Sequence, residues 1–315
     1  MKTFQHIIIS GSVAYDRIMD FKGRFRDHIL PDKIHNLNVS FHADTFHESY
    51  GGTAGNIAYS LALLGERPVV MASVGRDFMP YRVWMRRHHI DLQYVKTVGG
   101  AATASAFIIT DQDDNQIAAF SPGAMNTPAK PIPGRLLGRQ SLGIIAPGNL
   151  RDMVRYASQY RKSSTRYLFD PGQQITSFSG LQLQKCLRGA YGFISNDYEL
   201  ALVLKKTGWP KSKLLGSVGI VVTTLGSKGS VVYSEGKTYR VPIAVPKNTS
   251  DPTGAGDAYR SGFIKGLQLG WPLPHAGRLG AVVSVYSVEM YGTQTHRFTW
   301  PKVSRRYFLN FRTKV

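Results

Sequence analysis

The chain has 315 residues, with 39 lysines and arginines against 20 aspartates and glutamates, a formal net charge of +19, and one cysteine. With 43% hydrophobic and 19% charged residues it can bury a sizeable core, which excludes a disordered chain, and its length suits one large α/β unit or two modest domains. A lone Cys186 excludes an intramolecular disulfide and a thiolate zinc site and predicts a reducing compartment, while the charge points to an anionic partner: nucleic acid, a membrane surface or a phosphorylated metabolite.

Ile7 to Ile9 form an apolar run too short for a secretory core or a membrane span, so they predict a buried first strand. The longest later apolar stretch, Leu279 to Val288, is again too short to span, and the expectation is a soluble cytoplasmic protein without a membrane partner. Residues 17 to 50 are rich in Phe, His and Asp, with an alternation through Leu37, Val39 and Phe41 that reads as strand. Asn56 to Leu64 predicts a helix, Val69 to Val74 a strand and Met79 to His88 another helix. Residues 102 to 121 alternate around an Asp, Asp, Asn turn and read as a hairpin. Strands then follow at Gly143 to Ala146, Tyr167 to Phe169, Tyr191 to Ile194 and Gly219 to Thr224, with helices at Arg151 to Gln159 and Asp197 to Thr207.

Such alternation predicts an α/β fold with a mainly parallel sheet covered by helices on both faces, and ligands at the carboxyl ends of its strands. Residues 1–16, 51–101 and 122–315 are expected to make this core. Residues 17–50 and 102–121 are expected to make a small β-sheet lid, with a pair of immobile surface hairpins as the competing reading. No internal repeat or linker separates two independent domains.

The segment carrying most chemistry is DPTGAGDAYRSGFI at 251 to 264. A strand-like approach at Tyr239 to Val245 leads to Gly254, Ala255 and Gly256 at a predicted helix start, where free N–H groups and the positive end of the helix dipole suit a phosphoryl group. Asp257 at the same start can accept a proton from a hydroxyl, and a donor nest beside a carboxylate is what hydroxyl phosphorylation requires. Read alone, the same residues also fit a glycine turn with Asp257 capping the helix. In GGTAGNIAYSLALLGERPVVMASVG at 51 to 75, Gly51 and Gly52 allow close backbone approach, and Asn56 offers a donor and an acceptor to a polyol, or an ordinary helix cap.

These two segments, in this order, resemble the two signatures of the PfkB, or ribokinase-like, family of carbohydrate and nucleoside kinases. The resemblance runs from Gly11 to about Gly292 and implies the ribokinase-like α/β fold, with ATP and Mg²⁺ as cofactors. It implies that Asp16, in SGSVAYD at the end of the first strand, holds two sugar hydroxyls, and that Asn196 and Glu199, in SNDYE, hold Mg²⁺ through water. Thr224, Gly226 and Gly229, in TTLGSKG, resemble the family's ATP-contacting turn, and Lys228 there reads equally as an exposed turn lysine. Asp251 and Thr253 resemble a neighbourhood that binds a monovalent cation such as K⁺ in some relatives. SGSVAYDRIMDF, HILPDK and LNVSF look most like bacterial members called adenosine kinases, which implies transfer from ATP to the 5′-hydroxyl of adenosine, giving AMP in purine salvage. A ribokinase-type sugar kinase is the alternative. Phe41, Phe107 and Phe120 are the lid residues that face the question of base stacking, each also readable as lid core.

Other chemistry lacks its motif. There is no GxxxxGK[ST], no strand-linked GxGxxG with a downstream acid, no protein-kinase signature, no GxSxG context for Ser10, Ser12 or Ser121, and no ligand spacing for the adjacent His88 and His89. A different class stays open: a basic nucleic-acid-associated protein on a kinase fold, suggested by YRVWMRRHH at 81 to 89 and by six basic and no acidic residues from Arg297 to Val315. No nucleic-acid module accompanies that charge. Oligomeric state is not legible.

Overall fold

Ile8 and Ile9 have no exposed surface, because an uninterrupted apolar run needs cover on both faces of its sheet. They lie in β1 (His6–Ser10) of the computed structural model, which describes residues 3–113 and 115–313. The next elements are β2 (Ala14–Asp20), the single-turn α1 (Phe25–His28), β3 (Thr45–Gly51), α2 (Thr53–Leu63), β4 (Val69–Met71), β5 (Ser73–Val74), α3 (Met79–Arg87) and β6 (Lys96–Thr97). Then come β7 (Ala104–Thr110), β8 (Gln116–Ser121), β9 (Ser141–Ile145), α4 (Leu150–Lys162), β10 (Arg166–Phe169), α5 (Gly180–Leu187), β11 (Gly192–Asn196) and α6 (Asp197–Thr207). The chain closes with α7 (Lys211–Ser217), β12 (Ile220–Thr224), β13 (Ser230–Ser234), β14 (Lys237–Val241), α8 (Ala255–Gln268), α9 (Leu273–Val288) and α10 (Trp300–Phe311).

The main sheet has the order β14-β13-β12-β11-β10-β9-β1-β4. All its pairings are parallel except the β12–β13–β14 meander at one edge. The two-residue period sends Ile7 and Ile9 into one core, with Ile57 and Leu61 of α2 and Phe263 and Ile264 of α8. Ile8 goes into the other, with Met153 and Tyr156 of α4 and Leu183 and Leu187 of α5. The predicted α/β fold, a mainly parallel sheet between two helical layers, is what forms.

A second sheet, ordered β3-β2-β7-β8, stands apart from the first. β2 and β7 are parallel and the other pairings antiparallel, with the predicted hairpin supplying β7 and β8. Several expectations shift. This sheet begins at Ala14, three residues before the expected start of the lid at residue 17. Leu37, Val39 and Phe41 belong to no strand: Phe41 packs instead on Phe21 and Phe25 in an aromatic cluster, while Leu37 is exposed. Val69 to Val74 splits, β4 joining the main sheet while β5 pairs with β6. The approach to residue 254 leaves the sheet at Val241, where Pro242 and Pro246 follow and remove donors that a ladder needs.

Candidate active site

The carboxyl ends of β10, β11 and β12 deliver Asp170, Asn196 and Thr224 to one edge of the sheet, and α8 starts above them. Gly254 is the N-cap of α8 at φ +75°, a left-handed conformation that costs a residue with a β-carbon about 1 kcal/mol or more. The amide of Ala255 donates to the Pro252 carbonyl at 3.2 Å, so it turns back into its own loop and is withdrawn from the expected cradle. The amides of Gly254, Gly256 and Asp257 have no such backbone acceptor among the described residues.

Asp257 does not cap the helix. Its Oδ2 accepts from Nδ2 of Asn56 at 2.9 Å. Asn56 is likewise no cap: it is the fourth residue of α2, whose N-cap is Gly52. Its Oδ1 accepts from Nε2 of Gln294 at 3.0 Å, and Gln294 Oε1 accepts from Trp84 Nε1 at 3.1 Å. The tether therefore runs from α3 through Gln294 and α2 to α8. Burial lifts the Asp257 carboxyl to about 6; the Arg260 cation and the Asn56 hydrogen bond oppose that rise, while the charges of Asp170 and Asp16 add to it. Arg260, one helical turn on, is buried and donates from Nη2 to Asp170 Oδ1 at 2.8 Å. Its charge also reaches Asp257 and Glu199, so one cation balances three carboxylates.

Asp16 sits in β2 and not at the end of the first strand, because the chain turns at Gly11 to Val13 before entering the small sheet. Gly51, the last residue of β3, lies against it: a β-carbon built there would come within 2.2 Å of Asp16 Oδ2. Burial and the Asp251 charge raise the Asp16 carboxyl to about 6, opposed by a hydrogen bond from Thr293. The register sets Ser49, Asp16, Ala106 and Phe120 in one row across β3, β2, β7 and β8. Row partners share a face, so Phe120 looks the same way as Asp16, roughly 10 Å away across two strand spacings. Phe120 is 51% exposed. Phe107 belongs to the next row and the opposite face, under the Arg17 guanidinium, and Phe41 lies outside the strands altogether.

At the carboxyl end of β11, Asn196 and Glu199 form a reciprocal capping box on α6: Asn196 Oδ1 accepts from the Glu199 amide at 2.7 Å and Glu199 Oε2 from the Asn196 amide at 2.8 Å. Glu199 Oε1 carries no hydrogen bond among the described residues, and no cluster of three or more acidic, His or Cys ligands occurs among them. This donor set fits a magnesium ion that keeps most of its water. Thr224 ends β12, Gly226 opens a single 3₁₀ turn and Gly229 closes it, while Lys228 in that turn is exposed. Asp251 ties its own loop, accepting from the Thr253 amide at 2.8 Å and the Gly292 amide at 3.0 Å.

The sequence patterns single out none of Gln294, Thr293, Arg260 and Asp170. Two signals were available: a polar run, YGTQTH, in which Thr293, Gln294 and His296 end up buried after the long α9, and a lone arginine one turn past Asp257.

A glycine-initiated helix presenting free amides and a carboxylate at the carboxyl edge of a parallel sheet defines an α/β phosphotransferase site. Residues 12–300 match the model of the pfkB family carbohydrate kinases, and the chain belongs to that family. It is thus a kinase acting on an alcohol group. It is 30% identical over 306 residues to a nucleoside kinase of Methanothermobacter thermautotrophicus, covering 94% of this chain and 93% of that one. The structure of the Burkholderia thailandensis nucleoside kinase with inosine superposes with a TM-score of 0.86 and 32% identity, covering 98% of this chain and all of the other. The same enzyme with ADP and inosine superposes at 0.83 with 35% identity, covering 98% and 97%. Among the described residues, no helix is long and apolar enough to cross a membrane.

Proposed function

We propose that the chain transfers the γ-phosphoryl group of ATP to the 5′-hydroxyl of a purine nucleoside, with adenosine as the substrate and AMP as the product. The observation that carries this reading is the Asp257 carboxylate, tethered by Asn56 beside the free amides of Gly256 and Asp257 and facing a second carboxylate, Asp16. Its kinship to nucleoside kinases and the exposed Phe120 on the Asp16 face favour a nucleoside over a free sugar.

In this reading Asp16 accepts from two ribose hydroxyls, with Gly51 leaving it the room, and Gly52 and Asn56 frame the sugar. Phe120 stacks on the base and the small sheet closes as a lid, excluding water. Asp257 takes the proton of the attacking hydroxyl as that oxygen bonds to the γ-phosphorus and the bridging bond to ADP breaks. The amides of Gly254, Gly256 and Asp257 balance the charge on the transferring group, and Ala255 keeps the loop in shape. Thr224, Gly226 and Gly229 line the nucleotide; Asn196 and Glu199 would hold Mg²⁺ through its water, and the ion would supply positive charge to neutralise phosphate oxygens. Asp251 and Thr253 order their loop and are the residues that would hold a K⁺.

A coupled ATP-consumption screen over adenosine, inosine, guanosine, cytidine, ribose and fructose tests this. Adenosine is expected to give the highest kcat/KM. Turnover confined to a free sugar would overturn the nucleoside assignment while leaving the kinase intact.

A further inference from the structure

The basic stretch at 81 to 89 has no part in the chemistry above, yet it lines a groove of about 770 Å³ between α3, β6 and the segment around residue 130. Arg82 and Arg86, four apart and therefore on one helix face, meet Lys96 and Lys130 there. None of these four cations takes part in an ion pair among the described residues. The groove's single acidic residue is Asp91, whose Oδ1 is engaged by the Gln93 amide at 2.8 Å. Asp152, whose charge interacts with Lys96, is already paired with Arg155.

Two of the cations are held in place. Arg82 donates from Nη2 to the Thr97 hydroxyl at 3.1 Å, and Lys96 donates to the Pro128 carbonyl at 3.0 Å. Concentrating uncompensated positive charge in a concavity raises its potential and the local concentration of anions. The volume falls in the range of small-molecule sites, about 300–1,000 Å³.

The other face of α3 belongs to the substrate side. Tyr81 donates to the Gly51 carbonyl at 2.9 Å, and Trp84 holds Gln294, which holds Asn56. One helix of nine residues thus carries the groove's cations on one side and the supports of Gly51 and Asn56 on the other.

We propose that Arg82, Arg86, Lys96 and Lys130 form a second anion site, for a small phosphorylated metabolite bearing two or more negative charges, and that its occupancy reaches the nucleoside site through α3. Binding free energy that differs between two positions of α3 appears as a changed affinity for the nucleoside, and the coupling is reciprocal.

The test uses the full chain with its nucleotide site filled by a non-hydrolysable ATP analogue and inorganic tripolyphosphate as the probe in equilibrium dialysis. One bound tripolyphosphate is expected, weakened at least tenfold by Arg86→Glu with Lys130→Glu, both of which are exposed. At saturating ATP the probe is expected to shift the nucleoside KM at least twofold, an effect lost in the double variant, whose kcat without probe matches the parent. Loss of binding when the nucleotide site is filled, indifference to the double substitution, or binding with an unchanged KM would each overturn the proposal. Salt-sensitive retention of a single-stranded RNA without tripolyphosphate binding would reassign the groove to nucleic acid. The coupling arm rests on the nucleoside reading; the dialysis arm does not, and a different acceptor found by the turnover screen replaces adenosine in the KM arm.

Discussion

Asn56 Nδ2 and Asp257 Oδ2 meet at 2.9 Å although 201 positions separate them in the chain. The hydrogen bond favours the ionised form of the carboxylate against its burial, which in the proposed mechanism is the form Asp257 needs as the base.

Replacing Asp257 by Asn removes the base and keeps the shape. Steady-state assays are expected to show kcat lowered about 10² to 10⁴-fold with little change in KM. Near-normal turnover in this variant would remove Asp257 from that role.

The same substitution is expected to stabilise the fold at pH 7. The folded carboxyl titrates at about 6 against an ordinary 3.8, so the folded state binds the extra proton between those values and stability falls as pH rises through that window. Asn carries no such charge, and denaturant unfolding should show a gain of about 1 kcal/mol at pH 7, allowing for the partial exposure of the group, and none near pH 4.

The pH profile of kcat/KM should rise with an apparent pKa near 6, because both Asp257 and Asp16 must be ionised and both are raised to about 6. The Asp16 charge is one cause of the rise at Asp257. In Asp16→Asn the residual activity should therefore keep its rate to lower pH, even as the KM for the nucleoside increases. An acid limb unmoved by this change would separate the two carboxylates.

Gly51→Ala forces a β-carbon within 2.2 Å of the Asp16 carboxylate, and the carboxylate must swing away. The expected outcome is a nucleoside KM raised at least tenfold with the ATP KM unchanged. Phe120→Ala separates base from sugar: stacking of about 1–3 kcal/mol predicts a roughly tenfold or larger rise in the nucleoside KM. Any turnover of free ribose should be untouched.

The periodicity of the apolar runs is enough to find the parallel strands, because Ile8, Leu142, Leu168 and Val222 are buried between two helical layers and carry no polar alternation. It misplaces the segment ending at Phe41, since an aromatic cluster and a strand both take a phenylalanine and only its partners, Phe21 and Phe25, decide. The two glycine-rich motifs point to Asp257 and Asn56 because backbone approach there restricts residue type, and the structure brings those two together, whereas Asp16 is pointed to only by the family resemblance. Gln294, Arg260 and Asp170 stayed hidden because they act on other side chains, through contacts that span 238 positions for Gln294 and Asn56 and 90 for Arg260 and Asp170. Local spacing carries no trace of such pairings.

The union of α2 with α8 has a temporal consequence. α2 carries Asn56 early in the chain, and α8 brings Asp257 only after five further parallel strands of the main sheet, β4, β9, β10, β11 and β12, have been made. Contacts of such long sequence separation close late, after the loop entropy between them has been overcome. During synthesis the chain is therefore expected to acquire a sheet long before it acquires a working base, and a ribosome-bound chain ending before residue 255 should fold in part yet leave ATP untouched.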